Sequence, residues 1–288
     1  MNRFMGRFNL EKGSLLAETK NLLRRSGLRA RKRLGQHFLI DDDVRQQILT
    51  AAELTTDDTV LEVGPGLGIM TRELARKVRR VIAIELDDRL AAFLKQEMAF
   101  LTNVVIINED ILKVDPAALL TEPEPYKVVA NLPYYITSPA LRHFLEAAMK
   151  PGLMVVMVQK EVAEVIAAGP GKRSLLSISV QLYGQPRIIS QVPARAFYPS
   201  PEVDSAILRI DLYSKPAVAV DDTASFFETV RAGFASPRKQ LANSLAQGLG
   251  LPKADVAHLL EEASIAPQRR AETLTLEEWA LLWRAHTK

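Results

Sequence analysis

Between residues 59 and 158, short apolar runs alternate with stretches of helical periodicity. The runs cover 59–63, 80–84, 103–107, 126–130 and 153–158. Periodic stretches at 66–77, 87–100 and 138–149 lie between them, and two more, at 14–25 and 41–52, come earlier. Strands alternating with helices form a mostly parallel sheet covered on both faces. Right-handed crossovers bring the strand carboxyl ends to one rim, and ligands bind outside that rim. The fold class expected is α/β. Later runs at 188–192 and 203–210 have no clear helix between them and predict an antiparallel edge. From residue 222 the pattern is helical, at 222–235, 238–248, 252–263 and 275–286. Pro216 breaks the stretch 212–220, which reads as a linker. Three parts are expected: an N-terminal arm at 1–34, an α/β domain at 35–215 and a helical domain at 221–288.

Charge separates the arm from the body. Residues 1–34 hold ten Lys/Arg against two Glu, and the remaining residues hold 27 Lys/Arg against 32 Asp/Glu. The densest cluster is Arg29, Arg31, Lys32 and Arg33. Such a cluster suits a phosphate backbone, and equally a solvated tail. An Arg-rich start also fits a presequence, a reading that Glu11 and Glu18 weaken. No run of 18 apolar residues indicates a membrane span, and no apolar h-region indicates a signal peptide. The absence of cysteine excludes disulfides, cysteine nucleophiles and cysteine-ligated zinc. The four histidines are scattered, so no metal site is expected.

The first run ends in "LEVGPGLGIM", residues 61–70. Gly64, Gly66 and Gly68 let the backbone turn tightly and approach a ligand. The spacing is not the dinucleotide G-x-G-x-x-G, because Ile69 stands at its sixth position. Acid-x-Gly-x-Gly-x-Gly after a first strand resembles the S-adenosylmethionine loop of class I methyltransferases. Glu85 ends the second run, 21 residues after Gly64, where an acid accepts ribose hydroxyls. Asp110 follows the third run, placed to accept an adenine amino group. The competing reading for Glu85 is a helix N-cap acid, a role Asp87 already fills, and for Asp110 an ordinary loop acid.

The fourth run ends in Asn131-Leu132-Pro133-Tyr134. This resembles the Asn/Asp-Pro-Pro-Tyr motif of methyltransferases acting on exocyclic amines of bases. The N6 lone pair of adenine is delocalised into its ring and is a poor nucleophile. The Asn131 amide oxygen and the Leu132 carbonyl can accept the N6 hydrogens and turn the lone pair toward the methyl donor. Pro133 fixes that carbonyl, and Tyr134 offers a π-face to a flipped base. "FYPSPEVDSA", residues 197–206, holds Phe197 in a Pro-x-Pro loop as a second aromatic face. In "LGQHFL", residues 34–39, Gln36 and His37 are candidates to cover the cofactor.

Together, "RKRLGQHFL", "EVGPGLG", "NLPYY", "QKEVA" and "FYPSPEVDSAI" resemble the KsgA family of small-subunit rRNA adenine N6,N6-dimethyltransferases, from about residue 20 onward. The resemblance implies a Rossmann-like class I methyltransferase domain followed by a small all-helical domain. It implies S-adenosylmethionine as cofactor, without metal, held at His37, Leu39, Gly64, Gly66, Glu85, Asp110 and Asn131. It places the target base at Asn131, Leu132, Pro133, Tyr134 and Phe197. The substrate implied is two adjacent adenosines in the 3′-terminal hairpin of 16S rRNA, within a pre-ribosomal small subunit. Arg238 and Lys239, in "FASPRKQLANSL", join the basic cluster as expected RNA contacts. Pro237 and Gln240 depart from the basic residue and Thr that the family often has there. A cytoplasmic monomer is expected. Bulk added near Leu132 is expected to stall the reaction at monomethyl. Erm-type enzymes of large-subunit rRNA and a non-catalytic binding factor on the same fold are the alternatives.

Overall fold

A computed structural model describes residues 14–31, 34–120 and 124–287. Lys32 and Arg33 of the basic cluster lie outside the described residues. The chain runs through α1 (Leu15–Ser26), β1 (Phe38–Leu39), α2 (Asp42–Ala51), β2 (Thr59–Val63) and α3 (Ile69–Ala75). It continues with β3 (Arg80–Glu85), α4 (Asp88–Glu97), β4 (Val104–Asn108), α5 (Pro116–Leu119), β5 (Tyr126–Asn131) and α6 (Thr137–Leu145). Then come β6 (Leu153–Gln159), α7 (Lys160–Ala167), α8 (Leu175–Gln181), β7 (Gly184–Val192), β8 (Phe197–Tyr198) and β9 (Ser205–Leu212). Helices α9 (Thr223–Gly233), α10 (Leu241–Leu249), α11 (Lys253–Glu262) and α12 (Leu276–Thr287) complete it.

Seven strands form one sheet in the order β4-β3-β2-β5-β6-β9-β7. Strands β2 to β6 are parallel to one another, and β9 pairs antiparallel with both β6 and β7. The antiparallel edge expected from 188–192 and 203–210 is therefore present. The chain builds outward from β2 to β4, then returns to place β5 on the other side of β2. That reversal opens a crevice between the ends of β2 and β5, where Val63 pairs with Ala130. The next residues, Gly64 and Asn131, form its two lips.

Alternate residues of each strand feed two apolar layers, as the two-residue strand period requires. Leu61, Val63, Ile82, Ile84, Val128 and Ala130 join one layer. Val60, Val81 and Val129 join the other, beneath α2 and α3. The first layer continues without a break into the C-terminal helices, through Phe226, Leu241, Leu260 and Trp279.

Three segments differ from the sequence expectation. Helix α3 begins at Ile69 rather than at 66, because Gly66 and Gly68 hold φ of 59° and 77° and cannot continue a right-handed helix. Helices α7 and α8 were not anticipated. Each has eight residues or fewer, and they are broken apart by the glycine-rich turn near 169–171. The described part of the basic arm is not a free tail. α1 buries Leu15, Thr19 and Leu22, one stripe of a helix, with Leu22 clustered on Leu67 and Leu90. Glu18 pairs with Arg72 at 2.8 Å and Arg25 with Glu97 at 3.1 Å. Glu18 and Arg25 thus help dock the described part of the arm against α3 and α4.

Candidate active site

The crevice at the strand ends holds a cavity of about 300 Å³. Its walls come from the segment 34–39, the glycine turn, Glu85, Asp110 and the residues after β5. Gly64 has φ 69°, and Gly66 has φ 59° with the Phe38 ring 3.2 Å from where a Cβ would stand. Side chains at either position would strain the turn and crowd the cavity.

Glu85 closes the turn from below. Its carboxylate accepts N–H from Gly66 at 3.2 Å and from Asp87 at 2.9 Å. Burial raises its pKa to about 7, against the pull of those two N–H groups. Glu62, the acid that opens the glycine pattern, is also buried and lines the cavity. Burial raises it to about 8, opposed by the Thr71 hydroxyl and reinforced by the charge of Glu85. One oxygen of Glu62 has no hydrogen-bond partner. Two buried acids with unmet capacity for donors and positive charge fit a ligand carrying ribose hydroxyls, an ammonium and a sulfonium. Asp110 lines the same cavity, with one oxygen accepting N–H from Leu112 at 3.0 Å. Its other oxygen accepts no hydrogen bond among the described residues.

The lid is the segment before β1. Gln36 donates to Asp87 at 3.0 Å, and its own carbonyl oxygen accepts the Arg31 N–H at 2.8 Å. Arg31 also pairs with Asp87 at 3.3 Å. Burial pushes the Asp87 carboxyl up, but Gln36, the Arg89 N–H and Arg31 together hold it below the usual carboxylate range. Phe38 and Leu39 form a two-residue antiparallel ladder with Tyr198 and Phe197. Segment 34–39, which lines the cavity, and the Pro-x-Pro loop are therefore one piece.

On the other lip, Asn131 Nδ2 lies 2.9 Å from the backbone oxygen of His37. A carbonyl only accepts, so the amide nitrogen faces His37 and the amide oxygen is left for a ligand. Among the described residues, no donor reaches the Leu132 carbonyl. Tyr134 is half-buried, its hydroxyl 2.8 Å from Ser205 Oγ. Asn131 and Pro133 line the cavity, whereas Leu132 and Tyr134 are not among its lining residues.

Three sequence expectations need correction here. The Leu132 side chain is 2% exposed and sits in the sheet core, so bulk added there meets the core rather than the cavity. Phe197 is 3% exposed and packs in the layer that includes Met157, Val192 and Ile207. It backs the mouth instead of facing the cavity. Arg31 is engaged by Asp87 and Asp88, while Arg29, Arg238 and Lys239 stand exposed. Gln240 occupies the N-cap of α10 and makes no side-chain cap bond there.

Several residues of the site were not singled out from sequence. Glu62 was legible only as the acid of the glycine pattern. Tyr135 lines the cavity from an exposed position. Burial, then the charges of Asp110 and Glu85, push its phenol up. Ser205 carries no sequence signal beyond its place after the Pro-x-Pro loop.

Residues 27–283 match the family model for ribosomal RNA adenine dimethylase. The chain belongs to the ribosomal RNA adenine dimethylase family. Its members are S-adenosylmethionine-dependent methyltransferases. The chain is 52% identical over 275 residues to ribosomal RNA small subunit methyltransferase A of Dehalococcoides mccartyi, covering 96% of this chain and 94% of that one. It is 42% identical over 272 residues to the protein of the same name from Alkaliphilus metalliredigens, covering 92% and 95%. Among solved structures, the 23S rRNA methyltransferase ErmE superposes with a TM-score of 0.69 at 29% identity, over 87% of this chain and all of that one. A dimethyladenosine transferase from Plasmodium falciparum shares the fold with a TM-score of 0.74 at 24% identity, over 85% and 96%. Within the described residues, no helix is long and apolar enough to cross a membrane.

Proposed function

We propose that this dimethylase modifies N6 of two adjacent adenosines in the 3′-terminal hairpin of 16S rRNA, during assembly of the small ribosomal subunit. The observation that carries the chemistry is the fixed amide of Asn131. Its nitrogen is committed to His37, so its oxygen and the Leu132 carbonyl accept the two N6 hydrogens. The hydrogens held on one side, two before the first transfer and one before the second, localise the lone pair on the opposite side, toward the cavity, and each transfer releases one of them to solvent as a proton. Tyr134 stacks on the flipped base, and Phe197 supports it from the core. Pro133 keeps the Leu132 carbonyl aimed.

Glu85 is assigned to the ribose hydroxyls of the cofactor, Asp110 to its adenine amine, and Glu62 to its ammonium. Gly64, Gly66, Leu39 and the backbone of His37 shape the remaining wall. Bound there, S-adenosylmethionine supplies an activated methyl group on a sulfonium. The protein's part is to orient the amine, exclude water and hold the two partners in line. Exposed Arg29, Arg238 and Lys239 are assigned to the RNA backbone. The α/β part at 35–215 carries the chemistry, and the helices of 221–288 the docking.

The identity to small-subunit relatives, well above that to ErmE, supports the choice of substrate. The test is transfer of labelled methyl groups to unmethylated small subunits, with large-subunit rRNA in parallel. Dimethyladenosine in the small-subunit RNA alone is the expected result. Label only in large-subunit RNA would overturn the substrate, and bound cofactor with no transfer would point to a non-catalytic factor.

A further inference from the structure

Three contacts from three separate segments converge on His37. Its ring Nδ1 lies 2.7 Å from the carbonyl oxygen of Pro199. Because that oxygen only accepts, Nδ1 carries the proton. The ring faces Tyr134, with centroids 6.2 Å apart and planes inclined by 21°. The backbone oxygen of the same residue takes the Asn131 amide N–H at 2.9 Å. Asn131 ends β5, Tyr134 lies in the turn after it, and Pro199 follows β8. Asn131 and Tyr134 belong to the mouth assigned to the target adenine, and Pro199 to the Pro-x-Pro loop behind it. None is one of the acids Glu62, Glu85 and Asp110 on the cofactor side.

We infer that His37 is a positioning residue for the target base rather than a side-chain ligand of the cofactor. The inference rests on the assignment of residues 131–134 to the target adenine. The imidazole pins residue 37 to the Pro-x-Pro loop and props the Tyr134 ring. The carbonyl of the pinned residue then sets the plane of the Asn131 amide. Loss of the imidazole leaves that carbonyl in place but unanchored. The N6 acceptor and the stacking face lose their shared reference together.

The test compares full-length wild type, His37→Ala and His37→Asn. An asparagine Nδ2 occupies nearly the place of the imidazole Nδ1 and can donate to the Pro199 carbonyl. Single-turnover methylation of small subunits should fall roughly tenfold to a hundredfold in His37→Ala, the scale for misplacing a reacting group by about an ångström. The Kd for S-adenosylmethionine should stay within about twofold. A small subunit carrying 2-aminopurine at a target position should give a weaker fluorescence rise with His37→Ala, a readout that needs no methyl transfer. His37→Asn should restore most of both signals. An unchanged rate in His37→Ala, a cofactor Kd weakened as much as the rate, or no recovery in His37→Asn would overturn the inference. If wild type itself fails to methylate small subunits, the assigned reaction falls and the inference with it. If only the variants behave otherwise, the inference alone falls.

Discussion

The carboxylate of Glu85 accepts the backbone N–H of Gly66, so the end of β3 is bonded to the turn that follows its neighbour β2. One acid thereby shapes the glycine turn and faces the cavity that the turn encloses. Its pKa of about 7 puts its charge within reach of ordinary buffers.

Cofactor affinity should therefore depend on pH. Ribose hydroxyls donate to an ionised carboxylate, and below about pH 7 the Glu85 carboxyl is mostly protonated. Binding there requires loss of a proton first. The Kd for S-adenosylmethionine should fall as pH rises through about 7, by up to about tenfold per pH step below the midpoint, and flatten only above about 8, where Glu62 is ionised too. Glu85→Gln should bind weakly at every pH with little slope. A wild-type Kd that is flat from pH 5.5 to 8.5 would refute the ribose role.

Glu62 predicts an effect on stability. Its pKa is raised in the folded chain from 4.5 to about 8, so the folded state holds a proton that the unfolded state has released. This contribution to stability is present in full below about pH 4.5 and is lost as pH rises through about 8. Glutamine mimics the protonated acid. Glu62→Gln should match wild type near pH 4.5 and exceed it at pH 9 by on the order of a few kcal/mol, read by urea denaturation without ligand. Parallel pH profiles would show that the Glu62 carboxylate is not penalised by burial.

Asn131→Ala removes the amide oxygen assigned to the N6 hydrogens. The rate of the chemical step should drop roughly 10²–10³-fold, the scale for one preorganised electrostatic contact. Rapid-quench kinetics would reveal it, and near-normal turnover would remove Asn131 from the reaction.

Ser205→Ala frees the Tyr134 hydroxyl, which Ser205 holds at 2.8 Å. Stability should fall by about 1 kcal/mol. The effect on RNA should appear in kcat more than in cofactor Kd if Tyr134 stacks on the target base as proposed. Equal losses in both would place Tyr134 on the cofactor.

Gly66→Ala should weaken the whole turn. A Cβ there forces a side chain onto φ 59° and to 3.2 Å from the Phe38 ring. A cost of about 1–3 kcal/mol in stability is expected. Cofactor affinity should fall with it, measured by calorimetry on the refolded variant.

The sheet was the most legible part of the chain. The bounds of β2 match the apolar run 59–63, because every residue in it is buried and the glycines end it abruptly. Tertiary partners were not legible. Nothing in the sequence distinguishes Arg31, engaged by two aspartates, from Arg29, which is exposed. Phe197 reads as an aromatic in a rigid loop, and only the fold reveals that it faces inward. The motif 131–134 announced its acceptors. That Asn131 owes its orientation to a carbonyl 94 residues earlier depends on a contact with no local pattern.

The bond from His37 to Pro199 spans 162 positions of chain. At roughly 5–20 residues per second, synthesis separates the two by about ten to thirty seconds. The glycine turn, Glu85 and Asp110 emerge in that interval with the strands that carry them. Segment 34–39, a wall of the cavity, is therefore made long before the loop that pairs with it. Until that loop leaves the ribosome, the cavity and the mouth beside it both lack the same fastening.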